Sequence, residues 1–154
     1  MKKNYNRYVL QLASVLIIFT AQISKSQCSL GYDAFSYGGP SVLTPTAGTT
    51  FVNYSSYSPG TYFQFPMISG GSYAISTCGA PINTQITGWN SSGTSVIFYN
   101  DDNGPLCSGT SASVDNYIPS FTGMALVQVS QFNCSLAGSS SINVSIRQNN
   151  NLVF

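Results

Sequence analysis

The chain has 154 residues, and only 6% of them are charged, about a quarter of the share usual in soluble proteins. His is absent, and the residues from Gln27 onward carry Arg147 as their only cation against four Asp, a formal charge of −3. This composition excludes a nucleic-acid binder, which needs clustered Lys and Arg to replace counterions. It also leaves almost no side chain that could transfer protons near neutral pH.

Residues 1–26 have the pattern of a secretory signal peptide. Three cations precede an apolar stretch over 9–23, and Ser24 and Ser26 place small residues before a cleavage site at Gln27. The alternative is a membrane anchor, but this stretch of about 15 residues is shorter than the ~20 that a span needs. We therefore expect an exported protein that does not span a membrane once the leader is removed. It would be extracellular or at the cell surface, with the periplasm as the alternative.

All cysteines follow the leader, and their even number fits two disulfides in an oxidising compartment. They are Cys28, Cys78, Cys107 and Cys134. Zinc is the alternative, but no CxxC or Cys–His spacing supports it. Four cysteines allow three pairings, and the sequence alone does not choose among them. We expect Cys78–Cys107 and Cys28–Cys134.

Residues 49–154 are predicted to form one all-β domain, after a looser N-terminal arm over residues 27–48. Good helix formers are scarce, whereas Ser, Thr, Tyr, Val and Ile are abundant. Gly and Pro interrupt the chain about every ten residues and leave eight strand candidates, at the spacing of an antiparallel sandwich. The candidates are Thr49–Tyr54, Thr61–Phe65, Ser72–Thr77, Ile82–Trp89, Ser95–Tyr99, Ser111–Ile118, Met124–Gln131 and Ser140–Arg147.

Several candidates alternate between apolar and polar residues. Ile142, Val144 and Ile146 alternate with polar residues, and Gln85 and Gln128 occupy the polar phase of their own segments. This period of two predicts sheets with one face in the core and one face in water. Two packed antiparallel sheets of a jelly-roll-like β-sandwich are the simplest architecture for such a chain.

Four segments carry a resemblance to a known family. Residues 71–79 read GSYAISTCG, residues 83–87 read NTQIT, residues 99–102 read YNDD, and residues 107–113 begin with Cys-Ser. Together they are similar to the pre-peptidase C-terminal domains of secreted bacterial proteins and to repeats in type IX secretion cargo. The resemblance implies a non-catalytic accessory or adhesive module. Asn83 stands where the family usually has Asp, which weakens any calcium site at that position.

The residues argue against an enzyme. A Ser or Cys nucleophile needs a general base, normally His, and the chain has none. The only close pair of carboxylates is Asp101 and Asp102, and neighbours on an extended segment point to opposite faces. Such a pair does not flank a scissile glycosidic bond. We therefore predict that the protein has no catalytic activity.

The segment from Asn100 to Gly104 is the most polar part of the chain. Carboxylate and amide oxygens on a turn suit calcium, with Asp101 and Asp102 as ligands and Asn83 adding an oxygen from a neighbouring loop. The alternative is a plain turn, in which Asx hydrogen bonds end the preceding strand. No other cofactor is expected.

Three aromatic residues lie on the polar phase of predicted strands: Tyr62, Trp89 and Tyr99. Exposed flat rings beside amide and hydroxyl groups are typical of sugar recognition, in which rings stack on apolar sugar faces. The alternative is that these rings pack in the sandwich or cover its edges.

The sequence therefore predicts a secreted, non-catalytic binding or adhesion module with glycans as the favoured ligand. One alternative is a structural subunit of an extracellular assembly, because nearly uncharged strand edges suit contact with like subunits. Another is an accessory domain of a secreted hydrolase system.

Overall fold

The computed structural model describes residue 28 and residues 41–48, 50–135 and 138–150, so the predicted signal peptide lies outside it. These residues form nine strands and no helix. The strands are β1 (Ser41–Val42), β2 (Val52–Tyr57), β3 (Tyr62–Met67), β4 (Tyr73–Ser76), β5 (Thr84–Trp89), β6 (Val96–Asn100), β7 (Ser113–Tyr117), β8 (Gly123–Gln131) and β9 (Ile142–Gln148). A search of the same residues for a helix that could cross a membrane finds none.

Each of the eight predicted strands overlaps one of the strands β2 to β9. The additional strand, β1, belongs to the predicted N-terminal arm and pairs in parallel with β3, with Ser41 opposite Phe63. Later in the arm, Ala47 forms an isolated bridge to Gln148. A two-residue strand is too short to show a period of two, so the sequence gives no signal for it.

The strands form a five-stranded sheet in the order β1-β3-β8-β5-β6 and a four-stranded sheet in the order β2-β9-β4-β7. The antiparallel pairs are nested: β2 pairs with β9, β3 with β8, β4 with β7, and β5 with β6. This nesting is the topology of a jelly roll. The predicted all-β, antiparallel two-sheet sandwich is confirmed.

The inner faces of the two sheets enclose one main apolar core. Strand β9 follows its predicted alternation, because Ile142, Val144 and Ile146 are buried while Asn143 is exposed. The prediction that one face of the five-stranded sheet meets water is wrong, because Gln85 is 3% exposed and Gln128 is 1% exposed. A period of two identifies the residues that share a face, but it does not show whether that face meets water.

Two disulfides fasten the loops to this framework. Cys28 is bonded to Cys134 with their Cα atoms 5.3 Å apart, and Cys78 is bonded to Cys107 with their Cα atoms 5.5 Å apart. These are the two expected pairs, and the described residues include no free cysteine. The second bond joins the turn after β4 to the loop between β6 and β7.

The two edge strands of the four-stranded sheet are both irregular. Ser56 in β2 has a φ of 71°, and the register of β2 against β9 shifts between Tyr54 and Tyr57. Asn116 in β7 has a φ of 54°. Bulges and left-handed residues at sheet edges hinder the addition of a further strand.

Arg147 is held on the outer side of the same sheet. Its guanidinium lies 4.5 Å from the centroid of the Phe51 ring, and its Nη2 atom is 3.5 Å from Oδ1 of Asp115. Its Nε atom donates a hydrogen bond to Asn149 Oδ1 at 2.6 Å. The only cation after residue 26 therefore contacts β7 and the segments that flank β2 and β9.

Gly88 leaves room for the ring of Phe98, its partner across β5 and β6. A Cβ atom at Gly88 would lie 2.3 to 2.6 Å from three atoms of that ring. We expect Gly88→Ala to lower the free energy of unfolding by about 1–3 kcal/mol, because the buried ring must shift. Urea unfolding followed by circular dichroism measures this, with Ser108→Ala at an exposed loop position as the control. A Gly88→Ala protein as stable as the wild type would contradict this packing.

Candidate functional site

The register of the five-stranded sheet collects the predicted ligand-binding aromatic residues on one face. Tyr62 lies opposite Gln128, Gln128 lies opposite Thr87, and Thr87 lies opposite Tyr99. Trp89 is two residues beyond Thr87 on β5 and therefore points to the same side. This side, which we call the outer face, is turned away from the main core. The sequence assigns these residues to the correct phase of their strands.

The sequence also predicts that these rings are exposed, and for two of them the prediction is wrong. Trp89 is 3% exposed and Tyr62 is 5% exposed, and both pack with Leu126 in a small apolar cluster that Val96 borders. Because packing with Leu126 takes the place of contact with water, neither ring offers an open surface for stacking. Tyr99 is half-buried.

Gln85 is the centre of a hydrogen-bond network at one end of the outer face. Its Oε1 atom accepts from the backbone N–H of Cys134 at 2.8 Å. Its Nε2 atom donates to the Tyr99 hydroxyl at 3.0 Å and to Asp101 Oδ2 at 3.2 Å. Gln85 is not among the site residues that the sequence predicts. Its partners lie 14, 16 and 49 residues away along the chain, so the local sequence carries no signal for this role.

The predicted calcium ligands lie at the same end of the β5–β6 pair. Asn83 directly precedes β5 and Asp101 directly follows β6, and the two strands are antiparallel with Ile86 opposite Asn100. We call the group of Asn83, Tyr99, Asp101 and Asp102 the acceptor patch. Asn83, Tyr99 and Asp101 are half-buried, whereas Asp102 is exposed.

Two oxygen atoms of the acceptor patch are buried without a hydrogen-bond donor in the part of the chain that the structure describes. They are Oδ1 of Asn83 and Oδ1 of Asp101. Elsewhere on the outer face, Thr87 Oγ1 and Gln128 Oε1 are likewise buried without a hydrogen-bond partner among the described residues. Buried polar atoms are nearly always paired in folded proteins. The patch therefore has more acceptors than the described residues can satisfy.

The electrostatic character of the patch is negative. Asp101 and Asp102 lie there, and the nearest cation in sequence, Arg147, is engaged on the other sheet with Asp115. Burial raises the pKa of Tyr99 above its ordinary value of 10.0, and the charge of Asp101 raises it further. The hydrogen bond that Gln85 donates acts in the opposite direction and lowers this pKa.

The donor types of the patch fit calcium, which prefers carboxylate and amide oxygens. The unpaired Oδ1 atoms of Asn83 and Asp101 are such donors. Among the described residues, however, no group of three or more His, Cys, Asp or Glu could hold a metal ion. Any ion there would depend on two carboxylates together with amide or backbone oxygens. Calcium binding stays a prediction.

The fold and its bridges define a jelly-roll sandwich with two disulfides. No protein-family model matches the chain, and no curated protein matches it. Among solved structures, the chain is similar to the pre-peptidase C-terminal domain of a collagenase from Bacillus anthracis. That match has 11% sequence identity, a TM-score of 0.47, and coverage of 73% of this chain and 98% of that one. That structure is a pre-peptidase C-terminal domain, the family that the sequence motifs resemble.

A second similar structure is PliG from Aeromonas hydrophila, a periplasmic inhibitor of g-type lysozyme. This match has 13% identity and a TM-score of 0.45, and it covers 72% of this chain and 100% of that one. Neither of these two structures is a repeat of type IX secretion cargo.

The raised pKa of Tyr99 predicts how the protein responds to alkaline pH. A folded-state pKa above the unfolded value of 10.0 contributes stability that is complete below pH 10. This stability is lost as the pH rises through the folded value. We expect Asp101→Asn to move the pKa of Tyr99 down towards 10.0, because the neighbouring negative charge is removed.

Ultraviolet difference titration measures this pKa, with the Tyr99→Phe protein subtracted to isolate the Tyr99 signal. Asp115→Asn on the other sheet is the matched control and should leave Tyr99 unchanged. Equal shifts in both variants would contradict the contact between Asp101 and Tyr99.

Proposed function

We propose that the protein is a secreted, non-catalytic module that binds uncharged glycans at the acceptor patch. The observation that carries the proposal is the pair of buried oxygens of Asn83 and Asp101, which have no donor among the described residues, together with the half-buried Tyr99 in the same patch. A ligand that supplies hydroxyl donors and an apolar face matches both features.

The chemistry of the patch supports binding rather than catalysis. The chain has no His, and its described cysteines are all bridged. A nucleophile would therefore lack both a thiolate and the usual general base. The carboxylates of Asp101 and Asp102 are adjacent in sequence, an arrangement that does not place an acid and a base on opposite sides of a bond.

The charge of the patch supports a neutral ligand. Two Asp side chains, without a cation beside them among the described residues, oppose sulfated or phosphorylated ligands, because like charges repel in a partly buried site. Once neighbouring groups move aside, hydroxyl groups of a neutral sugar can donate to the buried oxygens Asp101 Oδ1 and Asn83 Oδ1. The bond to the Asp101 carboxylate is charge-assisted and is the stronger of the two. In this proposal, Trp89 and Tyr62 contribute apolar packing on the same face rather than direct contact with the ligand.

The two disulfides support export into an oxidising compartment. We infer an extracellular or cell-surface location, with the periplasm as the alternative. The work of the module there would be adhesion or retention at a surface that carries its ligand.

A glycan array followed by calorimetry on one neutral hit tests the proposal. We expect Tyr99→Ala and Asp101→Ala each to weaken binding by about tenfold or more, because each removes a contact or a charge-assisted hydrogen bond. Asp115→Ala and Asn143→Ala on the four-stranded sheet are matched controls that should bind as the wild type does. Trp89→Ala is less informative, because Trp89 is 3% exposed and its loss also disturbs packing.

A glycan array on which the protein binds no glycan would contradict the proposal. Filaments seen by electron microscopy would then favour the structural subunit, and binding to a secreted hydrolase would favour the accessory domain. Affinity that is equal in the patch variants and the controls would place the ligand elsewhere on the protein.

Calcium binding has its own test. If the ion binds, excess calcium raises the melting temperature, because a ligand of the native state stabilises it. We expect the double variant Asp101→Asn with Asp102→Asn to lose this increase, and Asp115→Asn to keep it. An increase that survives the double substitution would dismiss the patch as the ion site.

A further inference from the structure

The orientation of the Gln85 side-chain amide is determined by the hydrogen-bond partners of its oxygen and of its nitrogen. Its oxygen faces the backbone N–H of Cys134, which can only donate, at 2.8 Å. Its nitrogen faces Asp101 Oδ2 at 3.2 Å, and a carboxylate can only accept. Reversing the amide would bring donor against donor and acceptor against acceptor. Because Gln85 is 3% exposed, water cannot take over these bonds without a rearrangement.

The donor to Gln85 belongs to the Cys28–Cys134 disulfide. Cys134 lies in the turn after β8 with a φ of 57°, next to Asn133 with a φ of 64°. Non-glycine residues adopt this left-handed conformation at a cost of roughly 1–2 kcal/mol each, so surrounding contacts must hold it. Backbone bonds between Gln131 and Ser135 close the turn, and the disulfide joins it to Cys28.

Cys28 also lies against the same amide. Its Sγ atom is 3.3 Å from Gln85 Oε1 and 3.5 Å from the hydroxyl of Ser130, and Cys28 is 2% exposed. Ser130 is the partner of Gln85 across β5 and β8. The disulfide thus packs directly on the side of Gln85 that faces away from Asp101.

We propose that Gln85 is a positioning residue through which the Cys28–Cys134 disulfide sets the geometry of the acceptor patch. The amide nitrogen binds Oδ2 of Asp101 and leaves Oδ1 as the buried oxygen without a donor among the described residues. It also holds the Tyr99 hydroxyl, so the ring and the carboxylate are fixed relative to each other. The role of Oδ1 in selecting a ligand rests on the proposed function, whereas the coupling of the disulfide to Tyr99 and Asp101 does not.

The coupling can be measured on the full exported protein without any ligand. The probe is the chemical shift of the Tyr99 ring carbon that bears the hydroxyl, measured by nuclear magnetic resonance at neutral pH and assigned with Tyr99→Phe. The Nε2 atom of Gln85 donates a hydrogen bond to that hydroxyl at 3.0 Å. Removing that donor therefore changes this chemical shift.

We expect this change in Gln85→Leu and in the paired substitution Cys28→Ser with Cys134→Ser. The paired substitution Cys78→Ser with Cys107→Ser is the matched control, because that bond does not contact Gln85, and it should leave the Tyr99 chemical shift in place. Gln85→Asn is a second variant for the case in which Gln85→Leu does not fold. Its shorter amide cannot accept from Cys134 and also donate to Tyr99, so it should change the chemical shift as well.

Two results would overturn the proposal. One is a Tyr99 chemical shift that stays unchanged in every folded Gln85 variant or in the Cys28 and Cys134 variant. The other is an equal shift in the control pair, which would indicate general loosening of the fold. The failure of the glycan array would leave these outcomes unaffected, so the two proposals can fail separately.

Discussion

The pairing of β8 with both β3 and β5 is the interaction on which the rest of the structure depends. These strands are distant in sequence, and their ladders place β8 at the centre of the five-stranded sheet. One side of β8 gives Val127 and Val129 to the main core, and the other gives Leu126 and Gln128 to the outer face. Since the chain carries so little charge, its stability depends on apolar burial and ladder hydrogen bonds and hardly at all on ion pairs.

The strands were predictable because Gly, Pro and alternation mark them locally. The alternation of Ile142, Val144 and Ile146 with polar residues predicts both the strand β9 and the side of it that is buried. The same pattern failed at Gln85 and Gln128, which are polar and buried. A single strand carries no information about which segments lie across its other face, so exposure depends on tertiary contacts that a period of two does not contain.

The residues of the candidate site could also be predicted only in part. Asp101, Asn83 and Tyr99 could be identified, because oxygen-rich turns and aromatic residues on a polar phase are visible in the sequence. Their convergence follows from the antiparallel register of β5 and β6, and the central role of Gln85 follows from a turn almost fifty residues later in the chain. A hydrogen bond between an amide and a distant backbone N–H leaves no local signal. The expected Cys28–Cys134 pair comes nearest to predicting this connection, because Cys134 carries the backbone N–H that donates to Gln85.

The irregular edge strands have a consequence for how copies of the protein behave near one another. With a formal charge of −3 after residue 26, electrostatic repulsion between copies is weak, and dissolved salt screens it within about 10 Å. The left-handed residues Ser56 and Asn116 interrupt the rows of N–H and C=O groups that a second sheet would otherwise join. Because this protection of the four-stranded sheet is geometric, it does not depend on the salt concentration.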